Sequence, residues 1–213
     1  MKTIYLFSGL GADYRMFQFL ETEGYNAVHI NWIEPKKNET IENYAQRLTT
    51  QIRTPKPILV GLSFGGIMAI EVAKIIETEK IILIASAKTK KEIPFYYRFV
   101  GFFKCHKFLP LQVLKHANFF TSRLFGAKSN FEKKLLKDIL RDTDPVFLIW
   151  AIDKIVTWQN KKLHPNTKHI HGTHDKILPI RYVKPDVKII GGGHFITVNK
   201  KFSQVLNHFI FSP

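Results

Sequence analysis

The sequence predicts an α/β fold, with a mostly parallel sheet of about six strands, helices on both faces and a helical insertion. Short apolar runs alternate along the chain with stretches of helical spacing. The runs are apolar on both faces, as expected for strands that helices cover on two sides. Hydrophobic residues make up 45% and charged residues 23% of the 213 positions, values typical of a folded domain. The length fits a single domain, 1–213.

The strands and helices are predicted from apolar runs and from helix boundary signals. The predicted strands are residues 4–7, 27–30, 58–60, 81–85, 169–171 and 187–190. Asp13 is placed to cap a helix over 14–20, and Thr40 to cap a second helix that ends before Pro55 and Pro57. A third helix is predicted from just after Ser63 to about 76, and a last one over 201–211. Strands and helices therefore alternate, as crossover connections between parallel strands require.

The alternation stops after Ala85, where some eighty residues pass before the next strand. This stretch is rich in Phe, and its apolar residues, such as Leu135, Leu136 and Ile139, have helical spacing. Long insertions in compact α/β sheets are usually functional. We therefore predict a helical cap over 87–165.

The formal net charge is +15, and residues 88–142 contribute thirteen Lys and Arg against four Asp and Glu, a net +9. Such an excess is compatible with nucleic acid or with anionic substrates. The Phe residues of the same segment are spaced to form a packed cap rather than a stacking platform for bases. We therefore expect no nucleic-acid partner.

Location is inferred from apolar run length and cysteine usage. The longest apolar runs fall well short of the ~20 residues that span a bilayer, so we expect no stable membrane insertion. Cys105 is the single cysteine, which excludes an internal disulfide and fits a reducing compartment. A cytoplasmic location is expected. The sequence contains no feature that sets the oligomeric state.

A Gly-x-Ser-x-Gly motif at Gly61, Ser63 and Gly65 joins a predicted strand to a predicted helix. In this context the motif is typical of a nucleophile elbow, a sharp turn that exposes the serine at the carboxyl end of the strand. The two glycines are required where the chain doubles back. Ser63 is therefore the candidate nucleophile.

A nucleophilic serine needs a histidine base that a carboxylate orients. Asp175 follows the strand at 169–171, and His194 follows the last strand after three glycines. Both side chains are expected at the carboxyl edge of the sheet, beside Ser63. The chain order Ser, Asp, His is the order of this triad in one class of α/β enzymes.

On Gly61 to Gly66, His171 to Asp175 with Pro179, and Gly193-His194, the chain resembles the α/β-hydrolase superfamily over nearly its whole length. The resemblance implies that Ser63 is the nucleophile, Asp175 the acid and His194 the base. It implies strand order 4-3-5-6-7-8 in the family's count, with the first two family strands missing and the cap inserted after the sixth. A small-molecule acyl substrate is expected, either apolar or with an anionic carrier, and no cofactor.

The oxyanion of such a reaction needs fixed donors. The turn at Ser8-Gly9-Leu10-Gly11 takes the place of the His-Gly of related enzymes. We assign the backbone amides of Leu10 and Phe64 as the candidate donors. The alternative is that the glycines only form a strand-to-helix turn.

Two alternative functions fit parts of the sequence. The cluster His169, His171 and His174 is similar to a zinc-binding motif of metal-dependent hydrolases, with Thr173 where an acid is usual. His169 and His171 would equally fit a buried, hydrogen-bonded strand face. Acyl transfer or lyase chemistry on the same fold is the other alternative.

Overall fold

In the computed structural model, residues 2–10, 12–22, 24–104, 119–198, 204, 207 and 208 are described. Six strands form one sheet in the order β2-β1-β3-β4-β5-β6, and every neighbouring pair is parallel. The α/β fold class is confirmed, and the strand order matches the one that the resemblance implies. The strands are β1 (Lys2–Phe7), β2 (Tyr25–His29), β3 (Ile58–Leu62), β4 (Lys80–Ile84), β5 (Thr167–Gly172) and β6 (Val187–Ile189).

The described α-helices lie between these strands. They are α1 (Ile41–Leu48), α2 (Phe64–Ala73), α3 (Phe95–Phe102), α4 (Phe119–Phe125), α5 (Asn130–Asp142) and α6 (Pro145–Thr157). The predicted cap at α1 forms, because the Thr40 side chain accepts a hydrogen bond from the amide of Asn43. The helix ends at Leu48, well before the two prolines, and α2 ends at Ala73 rather than 76.

The core lies on both faces of the sheet, which explains why the strands are apolar throughout. Leu59 and Ile81 belong to the cluster that packs against α1 and α2. Their strand neighbours Val60 and Ile82 point to the other face and join a second cluster. All four side chains are fully buried.

The predicted helix over 14–20 is wrong in type and length: only Tyr14–Phe17 is helical, as a 3-10 turn, because Met16 and Phe17 turn into the core.

Helices α3 to α6 occupy the insertion between β4 and β5. They pack on the sheet domain rather than standing apart from it. Phe147 of α6 belongs to the first core cluster, and Leu136 of α5 to the second. The indole nitrogens of Trp150 and Trp158 donate hydrogen bonds to Glu39 O (3.0 Å) and to Glu71 Oε1 (2.7 Å). Cys105 and most of the predicted last helix, 201–211, lie outside the described residues.

None of the helices in the described ranges combines the length and the apolar character that a membrane crossing requires.

Candidate active site

Ser63 lies at a strained turn between β3 and α2, with φ 53° and ψ −120°. A non-glycine residue in such a region costs roughly 1–3 kcal/mol, and such residues cluster at functional sites. Two contacts, one with the last residue of β4 and one with the segment that follows it, hold the turn. The Ser63 amide donates to Ile84 O (2.9 Å), and Ser86 Oγ donates to Ser63 O (2.7 Å).

Gly61 and Gly65 are required by close approach of the backbone. A Cβ at Gly61 would overlap the backbone of Gly65 and Gly66, and a Cβ at Gly65 would overlap the carbonyl oxygens of Phe7 and Ser8. The glycines therefore allow α2 to start directly behind β3, which leaves the Ser63 side chain at the sheet edge.

The structure brings Ser63, His194 and Asp175 together in one hydrogen-bonded line. His194 Nε2 lies 2.8 Å from Ser63 Oγ, and His194 Nδ1 lies 2.7 Å from Asp175 Oδ2. Ser63 follows β3, Asp175 follows β5 and His194 follows β6, all at the carboxyl edge of the sheet. Asp175 and His194 are buried, with 4% and 5% of their surface exposed. The edge of the Phe125 ring packs on the His194 ring at 5.9 Å.

The Asp175 carboxylate is held by backbone donors as well. Its Oδ1 accepts hydrogen bonds from the amides of Ile177 (2.9 Å) and Leu178 (2.8 Å). Burial opposes the charge, but the interaction with His194 and the hydrogen bonds from His194 and Leu178 outweigh it and lower the pKa of Asp175. The carboxylate is therefore ionised at neutral pH and can stabilise a positive imidazole ring beside it.

A second histidine, His171, also reaches Asp175. Its Nε2 lies 2.8 Å from Leu178 O and 3.3 Å from Asp175 Oδ2. His169 Nε2 lies 3.1 Å from His171 Nδ1, and both rings are fully buried on one face of β5. The sequence predicted this shared face but not the contact with Asp175. The signal was present as an i, i+4 spacing between His171 and Asp175 across the end of a strand.

The two residues whose amides are assigned to the oxyanion, Leu10 and Phe64, lie close to Ser63. Phe64 is the first residue of α2, so its N–H has no acceptor within the helix and points out of the positive helix end. Leu10 follows Gly9, and a Cβ built on Gly9 would lie 3.6 Å from Ser63 Cβ. Leu10 and Ser63 line the same cavity. Leu10 and Phe64 therefore lie close to Ser63, and the oxyanion role of their amides stays a prediction.

A cavity of 390 Å³ opens on Ser63 and His194, and its walls are mostly apolar. Helices α4, α5 and α6 supply eight apolar residues of the wall: Leu124, Phe125, Leu136, Ile139, Leu140, Leu148, Ile152 and Ile155. Among the described residues that line it, none is Lys or Arg. A smaller cavity of 60 Å³ also borders Ser63 and His194, and Ile155 and Ile177 line both cavities. The sequence indicated an apolar insertion but not which of its residues face the serine.

The three histidines of the zinc alternative do not converge. The rings of His169 and His171 bond to each other, whereas His174 is exposed on the following loop. Within the described ranges, no group of three or more His, Cys, Asp and Glu side chains is arranged to hold a metal ion. Asp13 caps the 3-10 turn, where it accepts from the amide of Arg15, and it is not part of the bonded line at Ser63.

Comparison with solved structures defines the class of this fold. An esterase from Thermogutta terrifontis is 17% identical over 99% of this chain and 89% of its own, with a TM-score of 0.69. A bromoperoxidase from Bacillus anthracis is 19% identical over 99% and 92%, with a TM-score of 0.68. A hydrolase from Oleispira antarctica is 13% identical over 100% and 92%, with a TM-score of 0.67.

These likenesses show that the chain has the α/β-hydrolase fold, as the sequence motifs implied. No protein-family model matches the sequence, and no curated protein matches it.

Proposed function

We propose that this chain is a hydrolase, and more specifically a serine hydrolase that cleaves a carboxylic ester or thioester through an acyl-enzyme on Ser63. One observation carries the proposal: Ser63, His194 and Asp175 form a continuous hydrogen-bonded line that opens into an apolar cavity. The neighbouring solved structures with the same fold include an esterase and a hydrolase, which is compatible with this chemistry.

In the first half of the reaction, Ser63 Oγ attacks the carbonyl carbon while His194 Nε2 accepts its proton. The negative Asp175 stabilises the positive ring, whose Nδ1–H donates to Oδ2. The amides of Leu10 and Phe64 donate to the oxyanion as it forms. His194 then gives the proton to the departing alcohol or thiol, which leaves the acyl group on Ser63.

In the second half, His194 accepts a proton from water, which attacks the acyl carbon. The C–O bond to Ser63 breaks, the proton returns to Ser63 Oγ, and the carboxylic acid is released. Acyl transfer would follow the same path with another acceptor in place of water. Product analysis therefore separates the two reactions.

The substrate class that fits is an ester or thioester with an apolar acyl group. The 390 Å³ cavity beside Ser63 has the size of a small-molecule site, and its walls are made by aliphatic and aromatic side chains. An anionic carrier remains a prediction from the basic composition, because the described cavity wall contains no Lys or Arg to bind it.

The test is hydrolysis of p-nitrophenyl esters and of an acyl-CoA by the parent protein and by Ser63→Ala. We expect the substitution to lower kcat by about 10⁴-fold or more without unfolding the protein, because it removes the nucleophile and only one oxygen atom. Ser122→Ala is the matched control, since it removes a hydroxyl from α4 outside the bonded line. Parental turnover by Ser63→Ala would end the proposal.

A further inference from the structure

The buried histidine pair behind the candidate triad has a chemistry that the proposed mechanism does not use. His169 and His171 are alternate residues of β5, so their rings lie on one face of the sheet, and neither ring is exposed. Buried polar groups are almost always hydrogen-bonded. The partners of these two rings define which nitrogen carries each proton.

The proton positions follow from the acceptors. His171 Nε2 faces two oxygen atoms, Leu178 O at 2.8 Å and Asp175 Oδ2 at 3.3 Å, so it carries a hydrogen. In a neutral ring, His171 Nδ1 is then bare and accepts from His169 Nε2–H at 3.1 Å. His169 Nδ1 then carries no hydrogen, and among the described residues it has no hydrogen-bond partner. A bare nitrogen without a donor is a smaller penalty than a buried N–H without an acceptor, so the assignment is self-consistent.

Both rings are neutral near pH 7. Burial, then repulsion from His171 and Lys88, lowers the pKa of His169 to about 2. Burial also lowers the pKa of His171, although Asp175 and the Leu178 carbonyl oppose the shift.

Among the described residues, Asp186 and Lys88 are the further charged groups beside the pair. Asp186 Oδ2 accepts from the backbone amide of His169 at 2.8 Å and pairs with Lys88 Nζ at 3.3 Å. Tyr97 lies on the Asp175 side, where its hydroxyl donates to Ile177 O.

Leu178, His171 and His194 surround the carboxylate of Asp175. Leu178 donates its amide hydrogen to Asp175 Oδ1 and accepts the His171 hydrogen on its carbonyl oxygen. Asp175 Oδ2 meets two imidazole rings, His194 at 2.7 Å and His171 at 3.3 Å. One histidine therefore touches both the carboxylate and the turn that carries it.

We propose that His171 is a positioning residue for the reaction: its Nε2–H bonds to Leu178 O and so holds the turn that directs Asp175 toward His194, and the same N–H lies 3.3 Å from Asp175 Oδ2. The inference rests on the proposed function. His169 supports it at one remove, because its Nε2–H keeps the His171 hydrogen on Nε2. This role explains why two polar rings occupy a fully buried strand position.

The proposal predicts a specific change in pH dependence. Without the His171 N–H 3.3 Å away, the negative charge of Asp175 Oδ2 acts more fully on the positive ring of His194. We therefore expect the acid limb of the kcat/KM profile to move to higher pH. The less constrained carboxylate also lowers kcat, whereas KM is unchanged because His171 does not line the cavity.

The test compares ester hydrolysis from pH 4.5 to 9 by the parent, His171→Phe, His171→Gln and His169→Phe. We expect His171→Phe to lower kcat about tenfold, to leave KM within about twofold and to shift the acid limb upward. His171→Gln offers an amide N–H near the lost Nε2–H and should recover most of kcat and the parental limb. His169→Phe removes the donor to His171 Nδ1 but has no contact with Asp175, so its effects should have the same direction and be smaller.

A second readout does not depend on turnover. The Nδ1 hydrogen of His194 that bonds to Asp175 gives a proton NMR signal, which should shift in His171→Phe and shift less in His169→Phe. The proposal is overturned if the limb and this signal are parental in His171→Phe, or if His171→Gln loses as much as His171→Phe. If the parent shows no turnover that depends on Ser63, the proposed function fails, and the NMR signal alone decides the role of His171.

Discussion

Lengthening the acyl group of the substrate probes the cavity beside Ser63 most directly. The cavity of 390 Å³ is walled by residues such as Leu136, Ile139 and Ile152. Each methylene that moves from water onto such a wall contributes about 0.8 kcal/mol, which is about fourfold in kcat/KM. From butanoyl to octanoyl, four methylenes add about 3 kcal/mol, so kcat/KM should rise about 200-fold before the cavity is full.

The assay is kcat/KM for a series of p-nitrophenyl esters from acetyl to dodecanoyl, in which the leaving group stays constant. Ile152→Phe places a bulkier, aromatic side chain at a half-buried position of the cavity wall. The acyl chain length that gives the highest kcat/KM should therefore become shorter. Leu163→Phe is the control, because Leu163 is 67% exposed and does not line the cavity. A flat or falling series in the parent, or an unchanged optimum in Ile152→Phe, would refute the reasoning.

Three further predictions concern the turn, the acid and the buried histidine. Gly65→Ala should lower the free energy of unfolding by about 3 kcal/mol or more, because its Cβ would overlap the backbone at the end of β1. A Cβ at Gly9 would make only ordinary contacts, so Gly9→Ala should change the free energy of unfolding by less than about 1 kcal/mol. Asp175→Asn should lower kcat by about 10³–10⁴-fold, since the amide cannot stabilise the positive ring of His194.

His169 has a folded-state pKa of about 2 against about 6.5 in the unfolded chain. The unfolded state therefore binds more protons below pH 6.5, and stability falls as the pH is lowered from 6.5 toward 2. Between pH 6.5 and 4.5 the parent should lose about 2–3 kcal/mol more than His169→Phe.

Urea unfolding curves measure the first and third of these effects, and steady-state kinetics the second. Equal stability of the Gly65→Ala and Gly9→Ala variants would contradict the packing argument. Parental turnover by Asp175→Asn would remove the carboxylate from the mechanism. An identical acid loss in the parent and in His169→Phe would mean that the histidine is not neutral in the folded state.

Local sequence was sufficient for the turn at Ser63. The Gly61, Ser63 and Gly65 pattern requires a tight strand-to-helix connection, and a buried strand precedes it. The two-sided burial of the strands also follows from their composition, since alternate residues of β3 and β4 face different core clusters. The order of the strands came from the resemblance to a known superfamily, because a run of apolar residues does not indicate its neighbour in a sheet.

Tertiary placement explains what the sequence did not reveal. The contact between His171 and Asp175 depends on how the turn after β5 folds back, which Leu178 fixes through both its amide and its carbonyl. The cavity wall depends on how α4 to α6 lie across the sheet. Asp13 was a correct capping residue, but the turn it caps is short because Phe17 enters the core.

Labelling of the parent with a fluorophosphonate, followed by peptide mapping, tests most directly whether the line from Asp175 through His194 activates Ser63. We expect a single adduct on the peptide that contains Ser63, absent in Ser63→Ala and formed much more slowly in Asp175→Asn. A folded parent protein that forms no adduct, or forms it at another serine, would contradict the account.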